Sequence, residues 1–315
     1  MKNWNFQKKH TKVYLLDSSN QDHTKTEIVG SFVTQTNSII FIPRFPFLQG
    51  KTYIIKTNDD QQEFLVPKSV RSKPVVTAVY PTKNKIPENI LRMYIQFSNP
   101  MKTTGNLKNI KLYNSTGIEV KGVIFNNVYE LWNEAQTQLT IIFDPSRVKT
   151  GLKINENLGR ALESGENYKI VVSNLEDIYG QRLKNSYTKH FYVTEEDTQS
   201  PNHEKWTLKS PKANTTESLN IDFKESIDMM SLQNRLFVFS SGNDRIDGKI
   251  KFNNNEKSWK FIPNQKWTKG DYILKINSRL SDPSGNNLNG LFDHKIGSLK
   301  YHQEGKIQKL KFNIK

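Results

Sequence analysis

Two segments of this 315-residue chain share one spacing, Leu175-x-Asp177-x-x-Gly180-x-x-Leu183 and Leu280-x-Asp282-x-x-Gly285-x-x-Leu288. The likeness runs outward from them. Each follows a short run opened by Gly-x-x-Tyr168 or Gly-x-Tyr272, and upstream lie Phe143-Asp-Pro145 and Phe261-Ile-Pro263. Further upstream come Val120-Lys-Gly122 and Ile246-Asp-Gly248. Before those, Met93-x-Ile95-x-Phe97 with Met101 matches Leu219-x-Ile221-x-Phe223 with Met229. A unit repeated in this order restricts the chain to tandem copies of one small domain.

The unit is a β unit. Apolar residues alternate with polar ones at period two, and turn residues separate the runs at close intervals, which predicts all-β sandwiches. Only Ser226–Arg235 and Leu158–Ser164 show enough helical periodicity for a turn or two. Val70-Arg-Ser-Lys-Pro74 and Thr198-Gln-Ser-Pro201 are short, polar and proline-bearing. They divide the chain into residues 1–73, 74–197 and 198–315, and linkers this short favour a semi-extended rod.

Residues 1–73 carry only the later part of the unit: Ile28-Val-Gly30, Phe41-Ile-Pro43 and Gly50-Lys-Thr-Tyr53. The opening strand has no counterpart, and Thr57-Asn-Asp-Asp60 stands where the Asp-Gly turn is expected. The first domain is therefore expected to be incomplete. Either sequence further upstream or another strand would fill the gap. Lys309-Leu-Lys-Phe-Asn-Ile-Lys315 alternates strictly and lies outside the third repeat as the sequence defines it. It is expected to add an edge strand to its own domain.

There is no cysteine, which excludes disulfides, cysteine-ligated metals and thiol nucleophiles. No apolar run reaches the length of a membrane span, and the first residues lack the apolar core of a signal peptide. The net charge is +15. Residues 1–73 carry 11 basic and 6 acidic groups, 74–197 carry 15 and 13, and 198–315 carry 20 and 12. The excess is scattered lysine without an arginine cluster. This favours a solvated surface over a nucleic-acid interface.

The run Ile86-Pro-Glu-Asn-Ile-Leu-Arg-Met-Tyr-Ile-Gln-Phe-Ser-Asn-Pro-Met101 resembles the opening of bacterial Ig-like domains of the surface-layer type. Glu130-Leu-Trp132, the segment Leu139–Leu152, and then Trp206, Pro211 and Trp259-x-Phe-x-Pro263 are similar to a family of uncharacterised bacterial Ig-like proteins. The resemblance implies tandem Ig-like β-sandwiches and an exported, cell-surface or periplasmic protein. It implies no activity and no catalytic residue.

The six histidines, His10, His23, His190, His203, His294 and His302, show no metal spacing. No nucleophile elbow or P-loop is present, so neither enzymatic activity nor a cofactor is expected. Glu195-Glu196-Asp197 and Asp59-Asp60 read as solvated acids. The Phe143–Gly151 segment offers Arg147 and Lys149, which with Trp132 would form a basic, aromatic-edged patch or a turn whose arginine stacks on the indole. Trp132, Trp259 and Trp267 are the candidates for a glycan-binding aromatic row. Phe45 and Phe47 are expected to plug the first sandwich. The Asp282 segment has too few oxygen ligands for a calcium loop and reads as a tight turn, with its Asp accepting backbone N–H bonds and its Gly at positive φ. The chain is expected to act as a structural, adhesion or protein-interaction module. Its partner would be a protein or a cell-surface polymer. The alternatives are a carbohydrate-binding module and a binder of an anionic partner.

Overall fold

A computed structural model describes residues 11–16, 25–35, 38–58, 60–67, 72–125, 129–293 and 305–315. The chain is all-β, built of Ig-like sandwiches, and it forms two compact units, Met1–Ser72 and Lys73–Lys315.

The first unit has strands β1 (Lys12–Leu16), β2 (Lys25–Glu27), β3 (Gly30–Gln35), β4 (Ser38–Pro43), β5 (Thr52–Lys56) and β6 (Gln61–Leu65). One sheet runs β2-β1-β5-β6 and the other is the hairpin β3-β4. Thr57 and Asp60 close the β5–β6 turn, with the Thr57 N–H donating to the Asp60 carbonyl at 2.8 Å. Asp59 lies outside the described residues, as do residues 70 and 71 of the expected linker.

The second unit holds two cores. Around the first lie β7 (Val76–Tyr80), β8 (Lys85–Pro87), β9 (Arg92–Phe97), β10 (Ile110–Asn114), β11 (Leu131–Trp132), β12 (Gln138–Ile142), β13 (Asn167–Val172) and β14 (Tyr187–Thr194). They form the sheets β10-β13-β14-β8 and β11-β12-β9-β7. Around the second lie β15 (Thr207–Lys209), β16 (Leu219–Asp222), β17 (Leu236–Ser240), β18 (Gly248–Phe252), β19 (Ser258–Pro263), β20 (Gly270–Asn277) and β21 (Ile307–Ile314). Their sheets run β15-β16-β19-β18 and β17-β20-β21. Each strand is short and carries aliphatic or aromatic residues on its inner face, so two facing sheets can bury one core.

The repeat holds at the level of side chains. Tyr53, Tyr168 and Tyr272 lie directly opposite Phe64, Phe191 and Phe312 on the next strand. The three ring pairs stack at 5.6, 6.0 and 5.5 Å. Each tyrosine hydroxyl accepts a backbone N–H from the preceding loop: Leu48 at 2.7 Å, Glu163 at 3.1 Å and Thr268 at 3.3 Å. These are tyrosine corners, which tie the loop to the strand it enters. β21 is therefore the last strand of the third repeat itself, the counterpart of β6 and β14, and not a segment outside it. Its Phe312 and Ile314 are buried in the second core.

Two other expectations change. The predicted helix over 158–164 lies earlier, as α1 (Pro145–Val148) and α2 (Lys153–Leu158), because Gly159 at φ +70° ends it. The helix expected within 226–235 is α3 (Met229–Asn234), capped by the Asp228 carboxylate. The other change is in register. The Phe143 N–H bonds the Leu91 carbonyl, and Met93 lies opposite Ile141. In the third repeat Leu219 lies opposite Phe261 and Ile221 opposite Trp259. Met93 thus corresponds to Ile221, two residues off the match that the motifs suggest. A two-residue slip keeps every side chain on its face, so the alternation cannot reveal it.

Candidate junction site between the two cores

The sequence-selected residues go to different places. Trp267 is 2 % exposed, with its indole N–H donating to the Glu217 carbonyl at 2.7 Å, and Trp259 is fully buried. Trp132 is half-buried against Phe97, at 5.6 Å between ring centroids. No row of exposed tryptophans is formed by these three.

Arg147 does not reach Trp132. It is 8 % exposed, and its guanidinium donates to the carbonyls of Leu158, Gly159 and Arg160 at 3.2, 3.1 and 2.8 Å. It thereby satisfies the last carbonyl of α2 and the two that follow it. The indole N–H of Trp132 instead meets Glu130 at 3.1 Å. The Glu130 carboxylate also takes the Asn106 backbone N–H, the Asn106 side-chain amide at 2.7 Å and the Leu107 N–H at 3.1 Å. Glu130 belongs to the Glu-x-Trp pattern, but nothing in the sequence marks it as the anchor of a loop 24 residues away.

In the aromatic loop of the first unit the two phenylalanines separate. Phe47 packs on Phe41, Tyr53 and Phe64, whereas Phe45 is 74 % exposed beside Arg44. Glu196 pairs with Arg160, which also binds Glu88 at 2.8 Å. The expected solvated acid is thus one end of an ion-pair network. His190 is exposed and His203 lies edge-on to Trp206. His10, His23, His294 and His302 lie outside the described residues.

Lys149 leads to the principal site. Its ammonium sits 4.5 Å over the Phe292 ring, and the next residue, Thr150, donates through its N–H and hydroxyl to Asp293 at 2.9 and 2.7 Å. These contacts join the two cores, and they are part of a larger polar junction. The Tyr94 hydroxyl donates to the buried Asp228 carboxylate at 2.6 Å. Thr82 donates its N–H and hydroxyl to Glu256, the hydroxyl at 2.7 Å, and accepts the Asn255 N–H at 2.7 Å. Lys189 donates to the Thr82 carbonyl at 3.1 Å.

The repeated turns show what the junction demands. Asp177 accepts the N–H groups of Tyr179 and Gln181, and Gly180 takes φ +77°. Asp282 accepts the backbone and side-chain N–H groups of Asn286, and Gly285 takes φ +87°. Both are the tight turns expected. Gly180 is exposed, but every residue from Leu280 to Asn286 is buried. The Leu91 N–H bonds the Pro283 carbonyl at 3.0 Å. Asn89 accepts the Ser284 hydroxyl and exchanges two 2.9 Å bonds with the Asp197 backbone, whose carbonyl also takes Asn286. The third-repeat turn is the wedge between the two cores.

Burial sets the electrostatics. Desolvation pushes the Asp228 carboxyl up, opposed by its Tyr94 bond and the Arg92 charge. It raises Asp282 well above the usual range, and the Asp197 charge adds to this. Glu256 rises for the same reason despite its bonds to Thr82. Lys83 and Lys189 are pushed down, again mainly by burial.

Beside this junction is a cleft of about 280 Å³ lined by Arg92, Arg235 and Arg279, with Asp228 and Phe292 in its wall. Three of the nine arginines in the chain meet there. They are far apart in sequence, which is why no arginine cluster was visible.

No helix among the described residues is long and apolar enough to cross a membrane. No family model matches the sequence, and no curated protein matches it. Several solved structures do match. The crystal structure of the S-layer protein SbsC matches at 16 % identity and TM-score 0.28, over 65 % of this chain and 23 % of that one. An I-band fragment of titin matches at 10 % identity and TM-score 0.21, over 84 % and 82 %. A structure explaining Dscam isoform specificity matches at 8 % identity and TM-score 0.20, over 97 % and 70 %. The chain thus spans about a quarter of the S-layer structure, and likenesses this distant carry nothing about chemistry or partners.

Proposed function

We propose that the chain is a non-enzymatic extracytoplasmic module of three Ig-like repeats, over residues 1–73, 74–197 and 198–315, that holds and presents surfaces to a protein or cell-surface polymer. The observation that carries this reading is the buried polar junction. A spacer or display module needs fixed geometry between its domains, and a hydrogen-bonded wedge supplies it. The sequence resemblance supports an exported setting, and the absence of cysteine is compatible with it.

The lack of native thiols makes the test clean. Lys121 and Lys251 are exposed on the two sandwiches of the second unit. Replacing both with cysteine allows two spin labels and no others. A single narrow distance distribution by electron–electron double resonance is expected. A broad or multimodal one would remove the rigid-module reading. Protease shaving of intact source cells tests surface display: the chain is expected to be cut from the outside.

The arginine cleft favours a second reading, in which the presented surface binds an acidic group. Guanidinium forks match carboxylate and phosphate oxygens. Titration with glucuronate, followed by NMR, is expected to move signals of Arg92, Arg235 and Phe292 and to weaken at least tenfold in Arg235→Gln. Equal binding of neutral glucose would sink that reading.

A further inference from the structure

Among its described residues the first unit shows no counterpart of a strand that the other two repeats possess, and those repeats show what belongs there. Gly30 lies opposite Pro43 as Gly248 lies opposite Pro263. A Cβ on either glycine would meet the ring and the next carbonyl of the same partner residues: Phe41 and Ile42 for Gly30, and Phe261 and Ile262 for Gly248, all within 2.4–2.8 Å. This match sets β4 equivalent to β19, with Phe41 in the place of Phe261 and Ile39 in that of Trp259. On its other edge β19 carries β16, with Leu219 against Phe261 and Ile221 against Trp259. In the second repeat β12 carries β9, with Met93 against Ile141. Among the described residues nothing occupies that edge of β4, and its sheet ends at two strands.

The core shows the consequence. Among the described residues of this unit, the buried hydrophobic ones are Val13, Tyr53 and Ile54. Phe41 is only half-buried, where Phe261 is 5 % exposed. Ile39, Phe41 and Pro43 alternate with the exposed Ile40 and Ile42, so the half-buried face of β4 is the one that the missing strand would cover. An open edge beside an unfilled apolar core invites strand addition, in which main-chain bonds give affinity and alternate side chains give specificity.

We propose that β4 is an acceptor edge that takes one antiparallel strand from another polypeptide, with aliphatic side chains at alternate positions seated against Ile39 and Phe41. The donor chemistry is that of Leu219-x-Ile221-x-Phe223 and Leu91-x-Met93-x-Ile95. This deepens the proposed interaction role but does not depend on the rigid junction, which belongs to the other unit.

The probe is a synthetic peptide with the sequence of residues 217–225, added to the intact chain. Saturable binding is expected, with new hydrogen-exchange protection of the Ile39 and Phe41 amides, which point away from β3. Moving the aliphatics to consecutive positions, or N-methylating alternate peptide amides, is expected to weaken binding at least tenfold. Because these changes are made in the peptide, folding of the chain is not in question. Equal binding of the altered peptides would overturn the proposal. So would Ile39 and Phe41 amides already protected in a monomer without peptide, which would mean the chain fills its own slot. The same protection accompanied by dimerisation would assign the slot to a second copy and overturn the partner reading.

Discussion

Gly180 and Gly285 hold the same place in the same turn and have different neighbours. A Cβ on Gly180 would meet nothing within 4 Å, whereas on Gly285 it would lie 2.8 Å from Leu91 Cδ2 and 3.2 Å from the Phe292 ring. Both have positive φ, which costs an alanine about 1 kcal/mol. Gly180→Ala should therefore cost about that much in urea unfolding. Gly285→Ala should cost about 2–4 kcal/mol, the excess coming from overpacking at the wedge. Asp282 makes a second prediction. Its folded pKa is raised by burial above an unfolded value of about 4. The folded state therefore holds the proton more tightly, and this contribution is complete below about pH 4. It is lost as pH rises through the folded value. Asp228 and Glu256 act in the same direction. Thermal stability of the second unit should fall with rising pH above about 4, and Asp282→Asn should flatten the slope. An unchanged slope would contradict the assignment.

At the scale of elements, the stacked Tyr–Phe pair is the most persistent mark of the repeat. It joins the strand after each tyrosine corner to the next strand, and it occurs three times among the described residues. Tyr272→Phe keeps the stack but removes the acceptor of the Thr268 N–H, so it should cost about 1 kcal/mol. Phe312→Ala empties a core position on β21 and should cost about 3–5 kcal/mol. If Phe312→Ala were instead nearly neutral in denaturant melts, β21 would be a dispensable tail and not the closing strand of the third repeat. The pair was hard to read beforehand because Phe64, Phe191 and Phe312 follow their tyrosines by 11, 23 and 40 residues. Loops of different length separate partners that the sheet sets side by side.

For the second unit as a whole, the junction should couple the two cores. Following the indole N–H signals of Trp132 and Trp259 through a urea titration samples one core each. In the native chain they should disappear together. Tyr94→Phe leaves a buried Asp228 oxygen without its 2.6 Å donor, and Thr82→Val removes the hydroxyl that bridges Glu256 and Asn255. Each should cost about 1–3 kcal/mol of coupling. In the double variant the two signals should separate. Coincident loss in that variant would place the coupling elsewhere.

The sequence by itself determined the strands, the turns and the order of the repeat, because alternation and turn chemistry are local properties. It also raised the expectation of a short first repeat, because an absent motif can be counted. Only the tertiary structure decided which of two identical turns is a wedge, where Arg147 and Lys149 go, and that three distant arginines share a cleft. It also set the two-residue register of β9, which alternation cannot report. Those outcomes depend on which surfaces the sheets bring together. The same Leu-x-Asp-x-x-Gly-x-x-Leu spacing serves an exposed loop at Gly180 and a buried junction at Gly285, because only the second meets Leu91 and Asn89.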